Sequence, residues 1–498
     1  MSIRLHVGDE LARDASPLIG RLCEERFASR LLARDASLWG AEAQQEASHR
    51  LGWVDPFEAS ARVLDEAIRL RDALRSRGVD RVVLCGMGGS SLGPEVVARE
   101  AGAALSVLDS THPDEVRRAL DCDLSRTAVV VSSKSGSTLE TLIHSQLFRR
   151  AFLAAGIAPV ERIVYVTDPG SQLEKHADEG YRVFLADPDV GGRFSVLTAF
   201  GIVPTVLAGA DARRVLDEAR LVHEQLFADS PDNPALRLAA AIAAPLPSRF
   251  ALLLSEADDA RLGLGDWIEQ LIAESTGKGG KGVLPISLPV DAPELSALPA
   301  NAILAGLGSE LCGPRGIAVR APLGAQLLLW EVATAALGGL IGINPFDQPD
   351  VEAAKTAARE VLGGSDGAQP TLEPLPGEQQ LIAELSAAVP EGGYLAIQAF
   401  LDRQSPAADS ARRLRNRLAE ALRVPVSLGW GPRYLHSTGQ LHKGGPALGA
   451  FLQLVASEGD DFEIPGEPDG FGALMRAQAR GDREVLEQRG RRVVTRAL

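Results

Sequence analysis

Four short runs set the tightest limit on how this chain can fold: RVVLC at 81–85, LSVLD at 105–109, AVVVS at 128–132 and IVYVT at 163–167. Each is apolar and rich in β-branched residues, and segments with helical periodicity, 94–101 and 139–155, lie between them. Strands that are apolar on successive residues need cover on both faces. Strands separated by helices pair through crossovers rather than hairpins. The pattern therefore predicts an α/β fold, a parallel sheet between helix layers.

The same alternation resumes later. A second α/β unit starts near Pro247 with FALLLS at 250–255, a helix from Asp266 and short apolar runs near Val283 and Ala302. PLGAQLLLWEVATAALGGLIGI, 322–343, has the length of a membrane span, but Gln326 and Glu331 near its middle and its late glycines favour a buried helix. GGSDGAQPTLEPLPGEQ, 363–379, reads as a connector. Beyond it YLAIQAF at 394–400, a basic amphipathic helix near 409–422, VPVSLGW at 424–430 and GAFLQLV at 449–455 predict a third α/β segment. The expected division is an N-terminal helical segment, 1–55, two α-β-α units over 56–235 and 236–362, and a C-terminal segment, 363–498. The 57–77 helix is expected to pack on the first sheet.

In a parallel sheet, ligands bind at the carboxyl edge of the strands. Two unusual loops fall there. GMGGSSLGP, 86–94, follows the first strand, and SKSGST, 133–138, follows the third. Each leads into a helix, where backbone N–H groups and the helix dipole converge on an anion. The formal net charge of −15 argues against nucleic acid or an anionic membrane as partner. A small phosphate ester needs only such a local site. Cys23, Cys85, Cys122 and Cys312 lack metal-ligand spacing, which suggests reduced thiols in a cytoplasmic protein and no structural zinc.

Four further stretches stand out. GGRFSVLT, 191–198, holds Arg193 behind a glycine pair, either as a surface residue or reaching a buried anion. WIEQLIAESTGKGGKG, 267–282, sets Gln270 and Glu274 four apart on one helix face. NPFDQPDVEAAK, 344–355, brings Lys355 to the second turn of a helix, solvated or aimed at a site. YLHSTGQLHKGGP, 434–446, carries His436 and His442, with no clear cluster of further metal ligands.

GMGGSSLGP, SSKSGSTLET, GGRFSV, QLIAESTGKGGKG and INPFDQPDVEAAK, in that order, resemble the phosphoglucose isomerase family over roughly residues 56 to 362. YLHSTGQLHKGGP is similar to the isomerase half of fused transaldolase and phosphoglucose isomerase proteins. The resemblance implies two sugar-isomerase (SIS) domains, a homodimer, a sugar phosphate substrate, no metal and no cofactor. It also implies that Gly89, Ser90, Ser133, Lys134, Ser135 and Thr138 surround the phosphate, with Gln270 as a substrate contact. Glu274 corresponds to the base that moves a proton between C2 and C1, Arg193 to the arginine that stabilises the enediolate, and Lys355 to the lysine that assists at the sugar ring. Bacterial members carry a ring-opening histidine soon after that glutamate, yet here no histidine lies between His223 and His436. LHSTGQ, 435–440, resembles the pattern around it, which assigns the role to His436, with His442 as the alternative.

The implied activity is reversible isomerisation of glucose 6-phosphate and fructose 6-phosphate. No transaldolase unit precedes these motifs, so no transaldolase activity is expected. The alternatives are a non-catalytic sugar-phosphate sensor and an isomerase for another phosphorylated aldose such as mannose 6-phosphate. A nicotinamide-dependent enzyme fits less well, since Ser91 ends GMGGSS where a dinucleotide fingerprint wants glycine or alanine, and LSVLD offers only Asp109 to a ribose.

Overall fold

A computed structural model of the chain describes residues 2–256, 263–309, 313–350, 372–457 and 461–498. Its strands are β1 Arg4–Val7, β2 Arg81–Gly86, β3 Leu105–Leu108, β4 Thr127–Ser132, β5 Ile163–Thr167, β6 Arg182–Leu185, β7 Ala251–Glu256, β8 Leu284–Ser287, β9 Ala302–Leu307, β10 Gly316–Arg320, β11 Tyr394–Phe400, β12 Val426–Trp430, β13 Gly449–Val455 and β14 Arg492–Ala497. The first sheet, ordered β3-β2-β4-β5-β6, is parallel throughout. Every residue of β4 and β5 is buried, as expected of strands covered on both faces.

The second sheet runs β1-β10-β9-β7-β8 and is parallel except at β1. The N-terminal segment, read as helical, opens with a strand before its helices. Arg4–Val7 pairs antiparallel with Gly316–Arg320 at the edge of the second sheet, and the Asp9–Glu24 helix packs on the Pro234–Ala243 helix. Four residues are too few for periodicity to reveal a strand. The Phe57–Ser76 helix packs against Ala199–Ala208, which covers the first sheet.

The long apolar helix, Leu323–Ile341, lies inside the protein against the Ala212–Leu226 and Pro234–Ala243 helices, and Leu327 through Ala336 are all buried. The third sheet, β12-β11-β13-β14, is parallel, and the Pro406–Leu422 helix crosses from β11 to β12. Most of the expected connector lies outside the described residues, and its last two residues, Glu378 and Gln379, begin the Glu378–Ala388 helix.

Charged pairs fasten this third unit to the other two. Arg415 and Glu294, both almost fully buried, form a bidentate pair at 2.6 and 2.7 Å. Asp109, fully buried at the end of β3, meets Arg433 at 2.8 Å and Arg403 at 2.9 Å. Its carboxylate is thus engaged in holding the C-terminal unit, not offered to a ribose.

Candidate active site

The turn after β4 forms part of a cavity of about 510 Å³, a volume suited to a small ligand. Ser133 Oγ and Thr138 Oγ1 lie 3.0 Å apart, and Ser135 Oγ lies 2.9 Å from Ser137 Oγ. Gly136 turns the chain at φ +68°, a conformation open chiefly to glycine. The Leu139–Ala154 helix begins directly afterwards with Thr138 at its N-cap and no side-chain capping bond. Its first-turn N–H groups and positive dipole end therefore serve the cavity. Lys134 pairs with Asp168 and donates to Pro188 O at 3.2 Å. Burial raises the Asp168 carboxyl in spite of the lysine.

Glycines let the neighbouring loops close on this turn. A Cβ on Gly89 would lie 2.0 Å from Gly192 O, and one on Gly88 would lie 2.7 Å from both Gln270 Nε2 and His436 O. The loops after β2, around Arg193 and around His436 thus meet at one place.

The Leu264–Thr276 helix presents Gln270 and Glu274 on one face. Glu274 is 8 % exposed, and burial raises its carboxyl above the ordinary range against the opposing charges of Arg193 and His436. Gln270 Nε2 donates to Glu274 Oε2 at 3.3 Å and to His436 O at 2.9 Å. Arg193 is buried. It donates to Ser275 Oγ at 2.9 Å, Gln348 Oε1 at 2.8 Å, Pro345 O at 2.6 Å and Asp347 O at 3.1 Å, and its Nη1 lies 3.5 Å from Glu274 Oε2. Such bonding fixes the guanidinium rigidly beside the carboxylate. Lys278 clamps the same 344–347 segment through Asn344 O and Asp347, and burial lowers its ammonium to about 8.

His436 ends the Arg433–His436 turn, and its Nε2 lies 3.4 Å from Glu140 Oε1. Burial works against charge on Glu140, but the charge and hydrogen bond of His436 outweigh it and hold the carboxyl down to about 2. A buried carboxylate with raised proton affinity, a fixed guanidinium beside it and a histidine held by a second carboxylate suit proton transfer at carbon and oxygen.

The cavity brings together Gly89, Ser90, Ser133, Lys134, Ser135, Thr138, Arg193, Gln270, Glu274 and His436. It does not include His442. That ring is buried between Tyr394 and Phe451, bonded to Tyr394 Oη at 3.0 Å, and burial holds it down to about 3. Lys355 lies outside the described residues. Sequence reading passed over Glu140, Arg50, Asp168, Gln348 and Gln478, which also line the cavity. Glu140 and Gln348 stood inside quoted motifs, whereas Gln478 carried no local signal.

A family model for phosphoglucose isomerase matches residues 55–280. A glucose-6-phosphate isomerase of Thermus thermophilus is 32% identical over 390 residues, covering 64% of this chain and 92% of the relative. That of Rubrobacter xylanophilus is 29% identical over 373 residues, covering 60% and 86%. Among solved structures, a hypothetical protein from Thermus thermophilus superposes with TM-score 0.61 at 28% identity, over 72% of this chain and 100% of that one. A glucose-6-phosphate isomerase from Chlamydia trachomatis shares the fold, with TM-score 0.57 at 20% identity over 75% and 89%.

Proposed function

The chain belongs to the phosphoglucose isomerase family, and we propose that it interconverts glucose 6-phosphate and fructose 6-phosphate through a cis-enediol(ate). The observation that carries this reading is the pairing of buried Glu274 with Arg193 in the same cavity as the hydroxyl-rich turn after β4.

The phosphate is bound by Gly89, Ser90, Ser133, Lys134, Ser135 and Thr138, far enough from the reacting carbons to orient the sugar without entering the chemistry. His436, held by Glu140, delivers a proton to the ring oxygen as the anomeric hydroxyl loses one, which opens the ring to the aldehyde. Glu274 then removes the C2 proton, Arg193 stabilises the negative oxygen that develops at O1, the O2 hydroxyl proton passes to O1, and the same carboxyl returns its proton at C1 to give the ketose. Gln270 touches the sugar and orients Glu274. Lys355 assists at the ring. Burial of Glu274 supports its role, because a carboxylate with raised proton affinity is a stronger base.

The enzyme is taken to act in the cytoplasm as a homodimer, with a site most like that of the isomerase halves of transaldolase-fused proteins. The test is a coupled assay on fructose 6-phosphate, run beside mannose 6-phosphate and other phosphorylated aldoses. Turnover greatest with fructose 6-phosphate is expected. Tight binding without turnover would favour a sensor, and preference for another sugar would change the substrate.

A further inference from the structure

Gln478 takes no direct part in this chemistry, yet it touches the pair that opens the ring. It lies on the Phe471–Gln488 helix of the C-terminal unit, is 4 % exposed and lines the cavity. Its Nε2 donates to Glu140 Oε1 at 2.7 Å, and its Oε1 accepts from Thr111 Oγ1 at 2.7 Å. The amide orientation follows from the partners, since a carboxylate only accepts and therefore requires the NH2 to face it. Glu140 Oε1 is the same oxygen that faces His436 Nε2.

We infer that Gln478 is a positioning residue for ring opening: a chain from Thr111 through Gln478 and Glu140 to His436 fixes the carboxylate and so sets the orientation of the histidine. This rests on the isomerase reading above. Three elements converge on the pair. His144 sits one turn along Glu140's own helix, where burial lowers it to about 4. Glu274 faces His436 from the Leu264–Thr276 helix. Asp482, one turn beyond Gln478, is bound by Lys443 at 2.5 Å and the Tyr434 hydroxyl at 2.6 Å, so its charge is committed to the segment that carries His436. A neutral amide at 478 supplies Glu140 with a donor and adds no charge. A hydrocarbon there would leave the carboxylate one donor short, and a second carboxylate would repel it.

The test compares Q478L and Q478E with the unmodified chain, through kcat and KM for glucose 6-phosphate and through an NMR titration of His436 assigned with His436→Ala. Q478L should lower kcat about tenfold at every pH with KM within about twofold. In Q478E the introduced carboxyl shares a proton with Glu140 at low pH and still donates; as pH rises it ionises and two like charges meet. Its kcat relative to the unmodified chain should therefore fall with rising pH, and the His436 midpoint should move up. For Q478E, a kcat ratio that is flat with pH, with an unmoved His436 midpoint, would overturn the inference even if both variants were slow, because a packing defect gives that pattern. The NMR arm needs no turnover. An unmodified chain that does not isomerise, with the His436 shift still present in Q478E, would sink the functional reading and leave the coupling standing.

Discussion

Gly89→Ala should cripple turnover while leaving the protein folded. The added methyl would sit 2.0 Å from Gly192 O, 2.5 Å from Gly192 C and 3.0 Å from Arg193 N. All three are backbone atoms, so no side chain can swing aside. Restoring an ordinary carbon–oxygen contact of about 3.2 Å requires the two loops to part by about 1.2 Å, far more than a close-packed interior absorbs without strain. The Gly192–Phe194 turn carries Arg193, whose guanidinium is fixed by Ser275, Gln348, Pro345 and Asp347. Misplacing a group at the site by about 1 Å costs up to about 10²-fold, so kcat should drop by about that factor, or about 2.7 kcal/mol in the barrier. Overpacking should lower stability by about 1–3 kcal/mol. Steady-state kinetics and thermal unfolding measure both. Gly191→Ala is the control, because a Cβ there meets nothing closer than Arg50 Cδ at 3.8 Å and should change little. A Gly89→Ala enzyme with kcat within about threefold of the unmodified chain would refute the reasoning.

Three other outcomes are expected. His436→Ala should slow anomer interconversion of glucose 6-phosphate, whereas His442→Ala should cost about 1–3 kcal/mol of stability through the bond to Tyr394 and leave ring opening intact; the reverse pattern in NMR exchange spectra would transfer the role to His442. The acid limb of kcat/KM should lie above the ordinary carboxylate range, with activity rising as Glu274 loses its proton, and a limb within that range would argue against Glu274 as base. Glu331 is fully buried, neither carboxylate oxygen has a hydrogen-bond partner among the described residues, and burial raises it well above its ordinary value. The folded state therefore binds that proton more tightly than the unfolded chain, so the stabilisation is complete below the ordinary carboxylate range and is lost as pH rises toward the raised value. Glu331→Met should raise Tm more at pH 8 than at pH 4, and equal shifts would contradict this.

The parts of the fold that could be read in the sequence are those whose chemistry is local. Strands β2, β4 and β5 announce themselves because burial on both faces demands unbroken apolar runs. β6 is largely exposed, and β1 is an edge strand of four residues, so neither carries that signature. In the site, the hydroxyls and the glycine after β4 stand together in sequence because one turn and one helix N-terminus place those hydroxyls on the cavity. The meaning of Glu140 was hidden because its partners are His436 and Gln478, 296 and 338 residues away. A carboxylate in the first turn of a helix otherwise reads as ordinary dipole compensation. His436 and His442 share one short motif, and only packing separates a ring in the cavity from one bonded to Tyr394 in the core.

The most direct test of Glu274 as the base that moves hydrogen between C2 and C1 is solvent-deuterium incorporation into the hexose phosphate, followed by NMR for the unmodified chain and for Glu274→Gln. The unmodified chain should place label at those carbons, while Glu274→Gln should bind the sugar phosphate within a few fold of normal and incorporate essentially none. Label appearing at an ordinary rate in Glu274→Gln would contradict the assignment and require another base in the cavity.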